Sequence, residues 1–170
     1  MLKLIICILL ILIGSYIGFS MSKRFQNRIK QLELCDLLFQ RIKVYLEYEK
    51  TPTKQLIQNL CENHSFEELI FLKKCSERLE DNINFPQAWE QGLEESKMQM
   101  ALHKEDYEVL KQLCNILGAY EAQAQSNGIS MLQKMIKIQQ ENAIEENKTT
   151  GKLYRSLGVL AGIALAILLI

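Results

Sequence analysis

Two uncharged apolar blocks limit what this chain can fold into. "LIICILLILIGSYIGFSM" occupies residues 4–21 and "LGVLAGIALAILLI" occupies residues 157–170. As a helix the first reaches roughly 27 Å, close to the thickness of a bilayer core. The second reaches only about 21 Å, and roughly 25 Å when Tyr154, Arg155 and Ser156 are added. Arg155 can snorkel to the headgroups while Tyr154 sits at the interface. A core helix is the competing reading of the second block. A helix with no polar face is hard to bury in so small a domain, so the block is read as a second, short span.

The first block also resembles a signal peptide, with Lys3 ahead of it and Gly18 and Ser20 as a weak cleavage site. It is longer than a usual signal core. Lys23, Arg24, Arg28 and Lys30 follow at once, and such a cluster resists translocation. An uncleaved anchor is therefore the reading. Lys148, Lys152 and Arg155 flank the second block on the same side. The positive-inside rule then predicts a cytoplasmic middle, residues 22–153, between anchors at 1–21 and 154–170, with both ends on the opposite face.

The middle reads as helix throughout. Gly and Pro number only eight and two, and no stretch alternates with the period of a strand. Phe25, Ile29, Leu32, Cys35, Phe39, Ile42 and Leu46 make one stripe at spacings of three or four, continuing out of the first block. "KTP" ends it, with Thr51 predicted to cap a second helix and Pro52 in its first position. Ser65 and Glu68 have capping-box spacing for a third helix. Asn84 is placed to cap a fourth, where Gly92 allows close approach beside Trp89. A fifth runs from His103 to Leu117, and Gly118 ends or bends it. A long last helix shows one face at Ile129, Leu132, Ile136, Gln139 and Ala143, and ends near "NKTTG". The expected fold is all-α: an antiparallel bundle of about five to six helices flanked by an N-terminal and a C-terminal transmembrane helix.

Twenty basic and twenty acidic side chains cancel, so nothing favours nucleic acid as a partner. Five cysteines, none in a C-x-x-C pair, fit small buried hydrophobes better than a disulfide framework or zinc site. His64 and His103 lie in no ligand or catalytic pattern. The pairs Glu67/Glu68, Glu94/Glu95 and Glu145/Glu146 are adjacent, so their carboxylates diverge on a helix and read as solvated faces. No phosphate-binding loop, dinucleotide fingerprint or nucleophile elbow is present. The residues therefore predict no enzyme and no cofactor. Trp89 reads as core. Met98 and Met100 fit either packing or a partner surface.

The segment "KLYRSLGVLAGIALAILL" closely resembles the C-terminal motif of the stage III sporulation protein AB family of endospore-forming bacteria. Lys152, Tyr154, Arg155, Ser156, Leu157, Gly158, Val159, Leu160 and Gly162 carry the match. Tyr48, Thr51 and Pro52 in "YEKTP", Trp89 in "AWEQGL", and Leu117, Gly118 and Gln125 in "LGAYEAQAQ" match further family positions. Tyr120 and Glu121 depart from it, standing where the family usually has Ser and Asp. The resemblance implies a non-enzymatic subunit of a secretion-like channel assembly. That assembly lies in the mother-cell membrane around the forespore. It also implies a middle domain similar to the helical domains of the type II secretion and type IV pilus platform protein. The implied partners are a cytoplasmic secretion-type ATPase, further membrane subunits and membrane lipid, and a homo-oligomer is compatible. A membrane-tethered scaffold unrelated to secretion is the alternative class. A thiol-dependent enzyme is a weaker third.

Gly158 and Gly162 have the G-x-x-x-G spacing that lets helices approach closely. Gly14 and Gly18 repeat it, which makes the chain's own first block the expected neighbour, with another membrane subunit as the alternative.

Overall fold

The computed structural model describes residues 2–49, 51–117 and 122–169, with the side chains of residues 2–7, 10, 49, 122 and 169 outside that description. Among the described residues the fold is all-α. The helices are α1 (Leu2–Val44), α2 (Thr53–Cys61), α3 (Ile70–Glu80), α4 (Phe85–Ser96), α5 (Lys104–Lys111), α6 (Leu113–Leu117), α7 (Ala122–Glu146) and α8 (Lys152–Leu169). Contacts divide the chain into two compact units. One comprises residues 1–29 and 142–170, the other residues 30–141.

In the second unit the predicted stripe of α1 is buried where it matters. Leu32, Cys35, Phe39 and Ile42 are fully enclosed, and Leu38 joins them. Ile129, Leu132 and Ile136 of α7 are likewise buried, as is Ala143, which belongs to the first unit. In this unit α1 and α7 run antiparallel, joined by a polar ladder on one flank. Ser126 Oγ donates to Glu47 at 2.6 Å, Lys43 Nζ to Ser130 Oγ at 3.0 Å, and Gln140 Nε2 to Glu33 at 3.2 Å.

The hairpin of α3 and α4 is closely packed. Asn82 turns it with a φ of 62°, a left-handed conformation that Asn tolerates better than most residues. Asn84 caps α4 as expected, its Oδ1 accepting from the Gln87 backbone N–H at 3.1 Å. A Cβ added at Gly92 would lie 2.8 Å from the Phe71 carbonyl oxygen and 2.9 Å from the Cys75 nitrogen, so only glycine permits this approach. Trp89 is fully buried beside it. Its ring meets Phe71 edge-on at 5.2 Å, and Nε1 donates to the Leu110 carbonyl at 2.8 Å.

Several helix ends differ from the sequence expectation. Pro52, not Thr51, holds the capping position of α2, and no side chain caps that end. The Leu56 N–H instead bonds the Pro52 carbonyl at 2.9 Å. The Ser65/Glu68 capping box does not form. Asn63 takes the role, accepting from the Ser65 N–H at 3.0 Å and starting a 3₁₀ turn at His64–Phe66, while Glu68 pairs with Lys30. The third helix therefore starts at Ile70, after Leu69. The fifth helix is split at Gln112 into α5 and α6. Gly118 lies outside the described residues.

The last helix does not end at "NKTTG". Residues Asn147–Gly151 form a π-helical turn that leads straight into α8. Thr149 Oγ1 bonds back to the Glu145 carbonyl at 3.0 Å and the Glu146 carbonyl at 3.3 Å. These bonds help hold the widened turn. Among the described residues one helix, Gln123–Leu168, is long and apolar enough to cross a membrane, and only 17% of its apolar window is buried within the protein. That exposure rules against a core helix. The expectation of two flanking spans is met for the C-terminal one alone. Among the described residues the N-terminal helix does not qualify, so the two-span expectation is corrected to one candidate span.

Candidate functional site

The unit of residues 1–29 and 142–170 is built on a glycine crossing. A Cβ at Gly158 would lie 2.7 Å from both the Gly14 carbonyl oxygen and the Gly18 Cα. A Cβ at Gly18 would lie 2.7 Å from the Tyr154 carbonyl and 2.9 Å from the Gly158 Cα. At Gly14 it would lie 3.0 Å from the Gly162 Cα. The two G-x-x-x-G faces therefore interlock within one chain, backbone against backbone. Small residues drive such crossings because dispersion, not the hydrophobic effect, holds apolar helices together in lipid.

At the polar end of this crossing is a collar that the sequence only partly foretold. The Tyr154 ring stacks on Phe25 with centroids 6.0 Å apart. The Arg155 guanidinium lies 5.3 Å from the Phe19 ring centroid. Arg28 is 4% exposed and its Nη1 donates to Glu146 Oε2 at 2.7 Å. Glu145/Glu146 was read as a solvated pair, and this ion pair corrects that for Glu146. The signal was available: Arg28 falls three residues after Phe25 on the same helical face. Gly151 is buried against Phe25 and Asn147, and Lys152 is exposed.

The remaining family-motif positions lie in the unit of residues 30–141 or its loops. Tyr48 is 79% exposed in a π-helical turn, Tyr45–Glu49. Pro52 is exposed, Thr51 and Gln125 are half-buried, and Leu117 is buried at the end of α6. Trp89 is core, so its contribution is to the bundle interior and not to a surface. The structure thus does not gather these positions into one site. It also separates the two methionines: Met100 is buried and Met98 is 95% exposed.

Among the described residues the cysteine thiols are not activated. Burial pushes the Cys35 thiol far above its ordinary value, with Asp106 adding to the effect. Burial likewise raises Cys75 to about 12 and Cys114 to about 11, and it raises half-exposed Cys61 too. Protonated thiols are poor nucleophiles, which removes support for a thiol enzyme. Among the described residues no group of three or more His, Cys, Asp or Glu could hold a metal. A shallow hollow of about 430 Å³ is lined by Lys97, Leu102, Lys104, Tyr107, Glu108 and Lys111. Asp106 is a buried carboxylate that the sequence reading missed. It accepts from the His103 backbone N–H at 2.8 Å and so closes the start of α5.

A helical bundle joined in sequence to an apolar, glycine-crossed helix pair defines a membrane-associated all-α protein. Residues 3–170 match the sequence profile of the family described as stage III sporulation protein AB. The chain therefore belongs to the stage III sporulation protein AB family. It is 26% identical over 170 residues to stage III sporulation protein AB of Bacillus subtilis (strain 168), covering 99% of both chains. A solved structure of a stage III sporulation protein AB has the same fold. It superimposes with a TM-score of 0.59 at 23% identity, covering 71% of this chain and 96% of that one.

Proposed function

We propose that the helical bundle of this chain is a docking platform for a cytoplasmic secretion-type ATPase. The chain itself is a non-enzymatic membrane component of the sporulation channel between mother cell and forespore. Membership of the family across residues 3–170 is the observation that carries this reading. The bundle is compatible with it: its core is organised around Trp89, and its buried thiols are held protonated. Residues 1–21 and 154–170 anchor the chain, and residues 22–153 lie in the mother-cell cytoplasm, with both ends across the membrane. The basic residues beside each apolar block support this orientation. The motif positions Tyr48, Thr51, Pro52 and Gln125 are the candidate contacts with partners.

The test is direct. The purified full chain in detergent should bind the ATPase of the same assembly in both pull-down and calorimetry. No complex with both proteins at about 100 μM would reject the platform role, since such a concentration detects even a weak encounter. A reporter fused after Ile170 should be active only on the non-cytoplasmic face. Cytoplasmic activity would overturn the orientation.

A further inference from the structure

The net charge of zero hides a division. The unit of residues 1–29 and 142–170 carries seven Lys and Arg against two Glu, whereas residues 30–141 carry thirteen Lys and Arg against eighteen Asp and Glu. Both acids of the first unit, Glu145 and Glu146, sit within three residues of Lys148, and Glu146 is already occupied by Arg28. Lys23, Arg24, Lys148, Lys152 and Arg155 are exposed and, among the described residues, have no carboxylate partner.

These cations lie at one level of the helix pair. Phe19 meets Arg155, Gly18 meets Tyr154, Phe25 meets Gly151 and Tyr154, and Arg28 meets Glu146. That register sets Lys23 and Arg24 of α1 opposite the segment from Lys148 to Arg155. Lys148 and Lys152 are one turn apart, and Arg155 follows three residues later on the same flank. Phe19 lies against the Arg155 guanidinium, so its direction is held by the ring. Beyond the band lie Tyr16, Leu157 and Leu160, all more than half exposed.

We infer that this collar is a binding surface for anionic phospholipid headgroups, selective for them over zwitterionic lipid. The proposal rests on the anchor reading above. Its chemistry is that of a phosphodiester with net negative charge: uncompensated cations at headgroup depth, with aromatic rings fixing the guanidinium beside an apolar face. Free phosphate lacks the acyl chains that the exposed Leu157 and Leu160 would cover, so a lipid is the occupant.

The test uses the full chain in nanodiscs of phosphatidylcholine, alone or with about 30% phosphatidylglycerol, a content at which polybasic segments respond to surface charge. Lipids retained on release are counted by native mass spectrometry. The ratio of phosphatidylglycerol to phosphatidylcholine retained should exceed the bilayer ratio roughly tenfold, as expected for several cations acting together. Lys152→Gln with Arg155→Gln should bring retention close to the bilayer ratio. Arg155→Lys should keep most of the enrichment, and Lys134→Gln on α7 should keep all of it. Retained helicity by circular dichroism separates loss of binding from misfolding. Inorganic phosphate at about 10 mM should not displace the lipid, because the screening it adds is modest. Retention of the two lipids at the bilayer ratio, unchanged retention in the double variant, or displacement by phosphate would each overturn the inference. Failure to enter phosphatidylcholine nanodiscs at all would overturn the anchor reading with it. Insertion without lipid preference would overturn this inference alone.

Discussion

Gly92→Ala tests a close helix contact of the bundle, that of α4 with α3. The new methyl carbon would sit 2.8 Å from the Phe71 oxygen, 2.9 Å from the Cys75 nitrogen and 3.3 Å from the Cys75 Cα. All three are backbone atoms of α3, so no side-chain rotation can relieve them. Ordinary contact begins at about 3.5 Å, and α3 and α4 must therefore part by roughly half an ångström or more. Overpacking of this kind costs about 1–3 kcal/mol. Replacing a helical glycine with alanine gains about 1 kcal/mol, which would mask much of that cost. Gly128→Ala removes the ambiguity. It gains the same propensity term, but its Cβ meets only Ile116 side-chain atoms, at 3.0–3.1 Å. Ile116 is half-buried and can turn away. The expected difference between the two variants is thus the clash itself, about 1–3 kcal/mol with Gly92→Ala the less stable. Urea unfolding followed by Trp89 fluorescence measures it, because the indole is buried beside Phe71 and its signal reports this hairpin. A Gly92→Ala protein as stable as Gly128→Ala would refute the reasoning.

Other outcomes follow from the same contacts. Gly18→Leu and Gly158→Leu should each weaken the helix pair and the assembly on native gels while leaving membrane insertion intact by protease protection, since each side chain would strike backbone. Unchanged assembly would reduce the crossing to a simple tether. Arg28→Ala should destabilise the protein by about 1–3 kcal/mol, the usual range for a charged hydrogen bond losing one partner. A double-mutant cycle with Glu146→Ala should show a coupling above about 0.5 kcal/mol, and additive losses would exclude the pair as a unit. Cys75 and Cys114 ionise near 12 and 11 in the folded chain, above the ordinary thiol value of 9.0. The folded state therefore holds extra protons above pH 9, and stability should fall from there through about pH 12. Cys75→Ala with Cys114→Ala should flatten that slope in denaturant titrations, and an unchanged slope would count against buried thiols as its source.

How much could be read beforehand depended on how local each feature was. Asn84 as a cap rested on a side chain and an amide three residues away, and it formed. The Ser65/Glu68 box was equally local but failed, because Lys30 holds the Glu68 carboxylate and Asn63 reaches the Ser65 amide first. The turn at "NKTTG" looked like a helix end because Asn, Thr and Gly are weak helix formers. Buried Gly151 and the Thr149 hydroxyl instead carry the chain through in a π-helical turn. Trp89 was legible as core, yet its partners Phe71 and Leu110 could be known only once α3, α4 and α5 were placed.

By itself the sequence determined the all-α class, the apolar stripe of α1, the polarity of the ends and the family motif, because periodicity and hydropathy act along the chain. It also placed Gly14 and Gly18 at the same spacing as Gly158 and Gly162. Only the tertiary structure decided that these faces meet each other and that Arg28 pairs with Glu146. Those outcomes depend on atoms more than a hundred residues apart coming within about 3 Å, a distance at which hydrogen bonds and steric contact act and which no local pattern encodes.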